Sequence, residues 1–398
     1  MNVIQKIYPY VFAIFCASFP FTDLAKAIPN ILAGVLGALF FFVIRKEDLQ
    51  KLRLKSLYLF GFLIFIGGLS MIIFQRWEDM GFIVRLLNIV GIILLSLPVR
   101  NYILSIKSFV LSSLLLLIIS AIKLILYAKN TDSFGFTFGE HINNLLLGER
   151  PYLGMLYVTS ACLCWFLAEK AFRKIRFLWY VGSLMFISFV FVISARMALI
   201  SLFVIVITNL FYHKKSLKPS LTIMGGIIVL GILLFSLNEN FKKRFFISNS
   251  STYTITEKMA FEPRYHIWNC ALGLEHSIIS FLFGKGFQQT EEELVSCYET
   301  REKFYTEEQK QWFITKKFNT HNQYLGVYVS MGIVALVSLL GFFVFGFMES
   351  RKNYYSTALL LLIAMFLITE NLFYRQIGIM YMGLLLTFIL KLNADKRW

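Results

Sequence analysis

The chain has 398 residues, 58% of them hydrophobic, with a mean hydropathy of +0.68. An average soluble domain is only about 45 to 50% apolar, so this composition needs lipid as its solvent and excludes a soluble domain of ordinary size. The formal net charge of +16 would suit a nucleic-acid binder, but the placement of the basic residues argues against nucleic acid as a partner.

A helix needs roughly 20 mostly apolar residues to cross the hydrocarbon core. Such windows begin near Ile7, Ala27, Lys55, Gly81, Tyr102, Tyr152, Phe177, Leu199, Pro219, Asn322, Tyr354 and Ile377. They predict an all-α, polytopic integral membrane protein with about twelve transmembrane helices, surrounded by membrane lipids. The first stretch could instead be a cleaved signal peptide, because Ala25-Lys26-Ala27 resembles a cleavage site. The n-region holds only Lys6, however, and Pro20 with Asp23 reads better as a loop between two retained helices.

The connectors alternate between basic and nearly neutral. The basic set holds Arg45, Lys46, Lys51, Arg53 and Lys55, then Lys170, Arg173, Lys174 and Arg176, then Lys214, Lys215 and Lys218, then Arg351 and Lys352, and finally Lys391, Lys396 and Arg397. Short basic connectors face the cytoplasm. Both termini are therefore expected inside and the segment 238–320 outside, dividing the chain into helices one to nine (1–237), a large outer loop (238–320) and helices ten to twelve (321–398).

That outer segment carries eleven Lys/Arg and eleven Asp/Glu, and its mixture of apolar and polar residues predicts folded helices. The acidic run Glu291-Glu292-Glu293 reads as a solvated helix face. Five cysteines are too few for a disulfide framework. Cys16, Cys162 and Cys164 fall inside spans as small apolar packing. Cys270 and Cys297 both lie outside, where a bridge between them is an open question.

At the end of this segment stands Phe318-Asn319-Thr320-His321-Asn322-Gln323-Tyr324. Thr320 with Gln323 fits a capping box, which predicts a helix start with Thr320 as N-cap and His321 in the first turn. The positive end of the helix dipole would keep the ring neutral and able to take a proton. The alternative is a histidine merely sitting at the membrane interface. Arg196, in Ser194-Ala195-Arg196, stands between two spans almost without a loop. An arginine near hydrocarbon is costly unless paired or facing a polar cavity. Arg264 follows Pro263, which suits the first turn of a short outer helix. A guanidinium fork matches phosphate oxygens bidentately, so two outward arginines at the lipid boundary would suit a lipid-linked pyrophosphate. A surface salt bridge is the competing reading for Arg264.

Arg150, Glu370 and Arg375 also fall near the outer ends of spans, and Glu370 is expected to need a partner such as one of these arginines. Arg85 and Lys123 lie within spans four and five, where snorkelling or an intramembrane polar contact is the expected reading. His141, His213, His266 and His276 show no metal-ligand spacing.

His321-Asn322, followed nine residues later by Met331 and then Gly332-Ile333-Val334-Ala335, resembles the signature of the bacterial O-antigen ligase family, which includes O-antigen polymerases and protein O-oligosaccharyltransferases. Ala335 departs from the glycine or threonine of that pattern, although a small residue is kept. Ser194-Ala195-Arg196 resembles the family's Ser-x-Arg turn. Arg264 with Trp268, and Phe283-Gly284-Lys285-Gly286, resembles its Arg-x-x-x-Trp and Gly-x-Gly patterns. The resemblance covers roughly Phe177 to Gly346; the earlier spans share only topology. It implies a metal-independent, inverting glycosyltransferase of the bacterial inner membrane that uses no cofactor and moves a glycan from undecaprenyl pyrophosphate to lipid A core or a similar acceptor on the periplasmic face. His321 would be the catalytic base and Arg196 and Arg264 the pyrophosphate ligands, with Asn322, Trp268, Arg150, Glu370 and Arg375 in support. A repeat-unit polymerase would use the same residues. A protein acceptor and a lipid-glycan flippase are the remaining readings; the flippase would need charged groups along a midplane path.

Overall fold

The computed structural model describes residues 3–131, 143, 145–212, 225–226, 262–274, 277–300 and 307–394. Among them, every regular element is an α-helix or a short 3-10 turn. Eight helices are long and apolar enough to cross a membrane, or nine if Ala27–Val43 and the sharply bent Lys46–Leu52 count together. The count among the described residues is thus eight or nine, against the expected twelve for the whole chain. Arg196–Tyr212 begins where a span was expected and runs to the edge of the described residues. Tyr354–Phe366 also begins where a span was expected but has 13 residues. At 1.5 Å per residue it covers about 20 Å, less than the roughly 30 Å of a hydrocarbon core. Irregular chain follows it and helps to build the site described below. The span expected from Pro219 lies outside the described residues apart from Gly225 and Gly226.

The first apolar stretch is packed into the bundle. In Val3–Ser18 the side chains of Tyr8, Phe12, Phe15 and Cys16 are buried, and the Tyr8 hydroxyl donates to the Leu95 carbonyl at 2.7 Å. Three helices are almost wholly buried, Arg150–Lys170, Tyr354–Phe366 and Gln376–Ala394, and the other candidate spans present apolar faces outward, as a bundle in lipid requires.

One end of the bundle gathers basic connectors. There Lys51 pairs with Asp48, Lys391 Nζ donates to the carbonyls of Leu97 and Val99 at 3.1 and 2.7 Å, and Glu349 accepts from the Ser56 hydroxyl. A cation on carbonyls at a helix C-terminus satisfies acceptors that have no partner within the helix. Arg45, Lys46, Arg53, Lys55, Lys170, Arg173, Lys174, Arg176, Arg351 and Lys352 belong to the same set of connectors. Lys214, Lys215, Lys218, Lys396 and Arg397 lie outside the described residues.

The opposite end carries four short helices, Pro263–Gly273, Ile278–Phe283, Phe287–Thr300 and Glu307–Lys316. Pro263 occupies the first turn of its helix, as its sequence predicts. The Cys270–Cys297 disulfide joins the first of these helices to the third, which closes the question left open by the sequence. Glu291, Glu292 and Glu293 lie on the third helix, where Lys285 pairs with Glu293.

The long helix Gln323–Ser350 is broken at Gly332, with φ 83° and ψ 177°, a region that only glycine enters readily. The break admits the extended Gly284–Gly286 segment. Lys285 and Gly286 donate backbone N–H groups to the carbonyls of Val329 and Ser330, each at 2.9 Å, which the interrupted helix would otherwise leave unpaired. A Cβ on Gly332 would meet the Leu282 carbonyl oxygen at 2.2 Å, and one on Gly284, at φ +74°, would meet the Ser330 carbonyl oxygen at 2.3 Å. The two glycines thus allow two backbones to touch.

Candidate functional site

The cleft at this end has a volume of about 260 Å³ and is lined by Glu149, Arg150, Arg196, Arg264, Thr369 and Glu370, among others. Its residues arrive on chain turns rather than along helix faces. Leu147, Ser194 and His321 are three of the non-glycine residues with positive φ, at 61°, 52° and 41°. Leu147 precedes Glu149 and Arg150, Ser194 precedes Arg196, and the third is the expected base itself. Such backbone costs of order 1 to 3 kcal/mol at each position and concentrates at functional sites. Here the surrounding packing bears it: Ser194 is buried and the His321 N–H donates to Asn319 Oδ1 at 3.1 Å.

Arg196 opens the helix Arg196–Tyr212 and lies 3.5 Å from Glu262. Arg264 uses both prongs of its fork. Nη1 donates to Glu262 at 3.3 Å, while Nη2 donates to Glu370 at 3.2 Å and to the Thr369 carbonyl at 3.3 Å. One carboxylate, Glu262, therefore bridges the two arginines expected to bind phosphate. The sequence reading passed over Glu262, although its place beside Pro263 and Arg264 was the available signal.

Glu370 is 6% exposed, and a carboxylate so placed needs cationic partners. Its second oxygen lies 3.8 Å from His321 Nδ1. The partners are thus Arg264 and His321, and not Arg150 or Arg375, the arginines with which a pair was one of the readings of Glu370. Arg375 instead pairs with Glu149, and its guanidinium sits over the Tyr152 ring. Arg150, next to Glu149, lines the cleft directly.

The local geometry around His321 also corrects the helix start. The N-cap is Asn322, whose Oδ1 accepts from the Leu325 N–H at 3.1 Å. Thr320 is fully buried two residues earlier. Its hydroxyl donates to the Asn322 carbonyl at 3.0 Å and accepts from Asn371 Nδ2 at 2.8 Å. The capping-box pattern misled because Gln323 is also buried, accepting from the Phe373 N–H at 2.9 Å. His321 therefore precedes the cap instead of occupying the first turn, so the dipole argument for its ring does not hold at this position.

Trp268 supports the histidine at one remove. Its indole N–H donates to the Thr320 carbonyl at 3.0 Å, pinning the residue before His321 to the helix that carries Arg264. Arg85 donates to the Tyr374 carbonyl at 2.9 Å and so holds the irregular segment after Glu370. His266 is buried in the small core beneath Pro263–Gly273 and faces Phe313. His141, His213 and His276 lie outside the described residues.

The arrangement places guanidinium groups around an opening at one end of an apolar bundle, with an imidazole joined to them through one carboxylate. It can bind an anion, and it can take a proton beside that anion. A family model described as O-antigen ligase matches residues 181–340, a stretch within the one that carries the resemblance. It includes Arg196, Arg264, Trp268 and His321 but neither Arg150 nor Glu370 and Arg375. No curated protein matches the chain.

Proposed function

We propose that this member of the O-antigen ligase family transfers a glycan from undecaprenyl pyrophosphate to lipid A core or a similar surface acceptor. The observation that carries the reading is Glu370, whose carboxylate links Arg264 on the cleft wall to His321. Family membership by itself supports a lipid-linked glycan transferase, with both donor and acceptor left general.

In this reading His321 takes the proton of an acceptor hydroxyl, Nδ1 facing Glu370 and the other ring nitrogen accepting. Catalytic hydrogen bonds often tighten only in the substrate complex, which accommodates the 3.8 Å separation. The acceptor oxygen forms a bond to the anomeric carbon, the carbon–oxygen bond to pyrophosphate breaks, and its electron pair leaves with the lipid pyrophosphate. Attack from the opposite side inverts the anomeric configuration. Arg196 and Arg264, with Arg150 beside them, stabilise the charge on the leaving group, the kind of preorganised electrostatics that is often the largest catalytic contribution.

The chain would lie in the bacterial inner membrane with both termini in the cytoplasm. The basic end would face inward, and the 238–320 loop and the cleft would face the periplasm. Purified protein in liposomes, given lipid-linked glycan and lipid A core, tests this reading. Acceptor heavier by the glycan, with release of undecaprenyl pyrophosphate, is the expected result; translocation of the donor without transfer would favour a flippase. In a deletion strain, lipid cores lacking any repeat unit indicate a ligase, and cores capped by one repeat indicate a polymerase.

A further inference from the structure

The helix Ile278–Phe283, with the sequence Ile-Ile-Ser-Phe-Leu-Phe, breaks the usual rule for a loop helix at a water-exposed end. Ile278 is 81% exposed, Ile279 55% and Phe281 42%. The two serines at its start satisfy each other within the turn. Ser277 Oγ accepts from the Ser280 N–H, the Ser280 hydroxyl donates to the Ser277 carbonyl, and the Phe281 and Gly284 N–H groups reach the carbonyls of Ser277 and Ser280. Such a segment presents hydrocarbon and little else.

Its surroundings identify what covers it. The helix packs against Lys55–Ile73 and Gln323–Ser350, with Phe283 against Phe74 and Phe281 against Tyr328. Ile72 and Ile73, at the end of Lys55–Ile73, are themselves outward-facing, so the apolar surface of that candidate span continues onto the loop helix. Depth agrees. From the break at Gly332 to Ser350 is 18 residues, about 27 Å of helix, close to the thickness of the hydrocarbon core and within the range of spanning lengths. The break, and the loop helix seated on it, then falls at the membrane boundary. Trp77, also outward-facing, follows Arg76, whose Nη1 donates to the Gly284 carbonyl at 3.0 Å, and tryptophan favours the headgroup level. On the other side Gln288 and Glu292 are exposed and polar.

We infer that Ile278–Phe283 is an interfacial membrane anchor, lying in the leaflet at the cleft end of the bundle with Ile278, Ile279 and Phe281 among the acyl chains. It holds the Gly284–Gly286 segment against the break at Gly332 from the lipid side.

The test is independent of transfer activity. The free cysteines Cys16, Cys162 and Cys164 are buried, so an environment-sensitive fluorophore on Ile278→Cys reports the loop helix, and one on Glu292→Cys reports the polar face. The protein is reconstituted in phosphatidylcholine vesicles with or without brominated acyl chains. The Ile278→Cys probe is expected to emit to the blue and to lose emission to brominated lipid while resisting iodide, with the reverse at Glu292→Cys. Iodide quenching equal at the two positions would overturn the anchor, as would shielding of Ile278→Cys from both quenchers, which would indicate a second copy of the chain on this face. Phe281→Cys supplies the same reading if Ile278→Cys does not accumulate.

Discussion

His321 Nδ1 faces Glu370 at 3.8 Å, and the carboxylate that meets it is the same one that holds Arg264 at 3.2 Å. Glu370→Gln keeps the shape and removes the charge from both contacts. Transfer is expected to fall roughly tenfold or more, at least about 1.4 kcal/mol in the barrier, with membrane abundance retained. His321→Ala is expected to lose about 10² to 10⁴ in turnover, and His321→Gln to lose nearly as much, because glutamine cannot accept the proton. Normal turnover in purified His321→Gln would reduce the ring to an orienting role.

Arg264→Lys keeps the positive charge but has no fork with which to reach Glu262 on one side and Glu370 with the Thr369 carbonyl on the other. Turnover of the lipid-linked donor is expected to fall clearly while protein abundance holds. Arg196→Ala is expected to raise the KM for the donor. Unchanged kinetics in both variants would remove the phosphate role.

Gly332→Ala places a methyl group 2.2 Å from the Leu282 carbonyl oxygen in a backbone conformation that alanine avoids. The variant is expected to lose several degrees of thermal stability or to fail to accumulate. Gly34→Ala, in open space within Ala27–Val43, is expected to hold or gain up to about 1 kcal/mol. A thermal melt in detergent compares the two, and equal behaviour would contradict the close approach at the break.

Asp23 lies between the first two helices, and burial together with the nearby Glu149 charge raises its carboxyl above the ordinary range, against the opposing pull of Arg375 and Lys26. A folded value above the unfolded one means that the protonated form favours folding. That contribution is complete below the ordinary carboxylate range and is lost as pH rises through the folded value. Asp23→Asn is therefore expected to be more heat-stable than the parent near neutral pH, with the difference vanishing in acid. A gain that grows as pH falls would contradict this assignment.

The orientation is tested by a reporter active only in the periplasm. Fused after Glu257 it is expected to be active, and after Lys215 silent. The reverse pattern would invert the sidedness of the cleft.

Apolar windows were enough to place most helices, because lipid demands long runs of hydrocarbon whatever the packing. Where a helix is short, the hydropathy window still counted a span, as at Tyr354, since it sees composition and not where the backbone stops being helical. The site was legible where residue chemistry clashed with its setting, as at Arg196, Arg264 and Glu370. Pairing was not legible: Glu370 meets Arg264 and His321 only because three chain turns converge. Thr320 was misread because its hydroxyl serves the tertiary contact with Asn371 instead of the helix end.

The bridge from Glu262 to Arg196 and Arg264 changes what donor binding would mean. The arginines are already satisfied by a carboxylate, so a pyrophosphate would enter by trading places with it. Glu262 is partly exposed, and water can receive it at little expense. Discrimination would then rest on the difference between one carboxylate and a multiply charged phosphate. In the proposed reaction, once the glycan had departed and the spent lipid carrier remained, the same carboxylate would be at hand to reclaim its arginines, and a competitor tethered beside the site would hasten the carrier's exit.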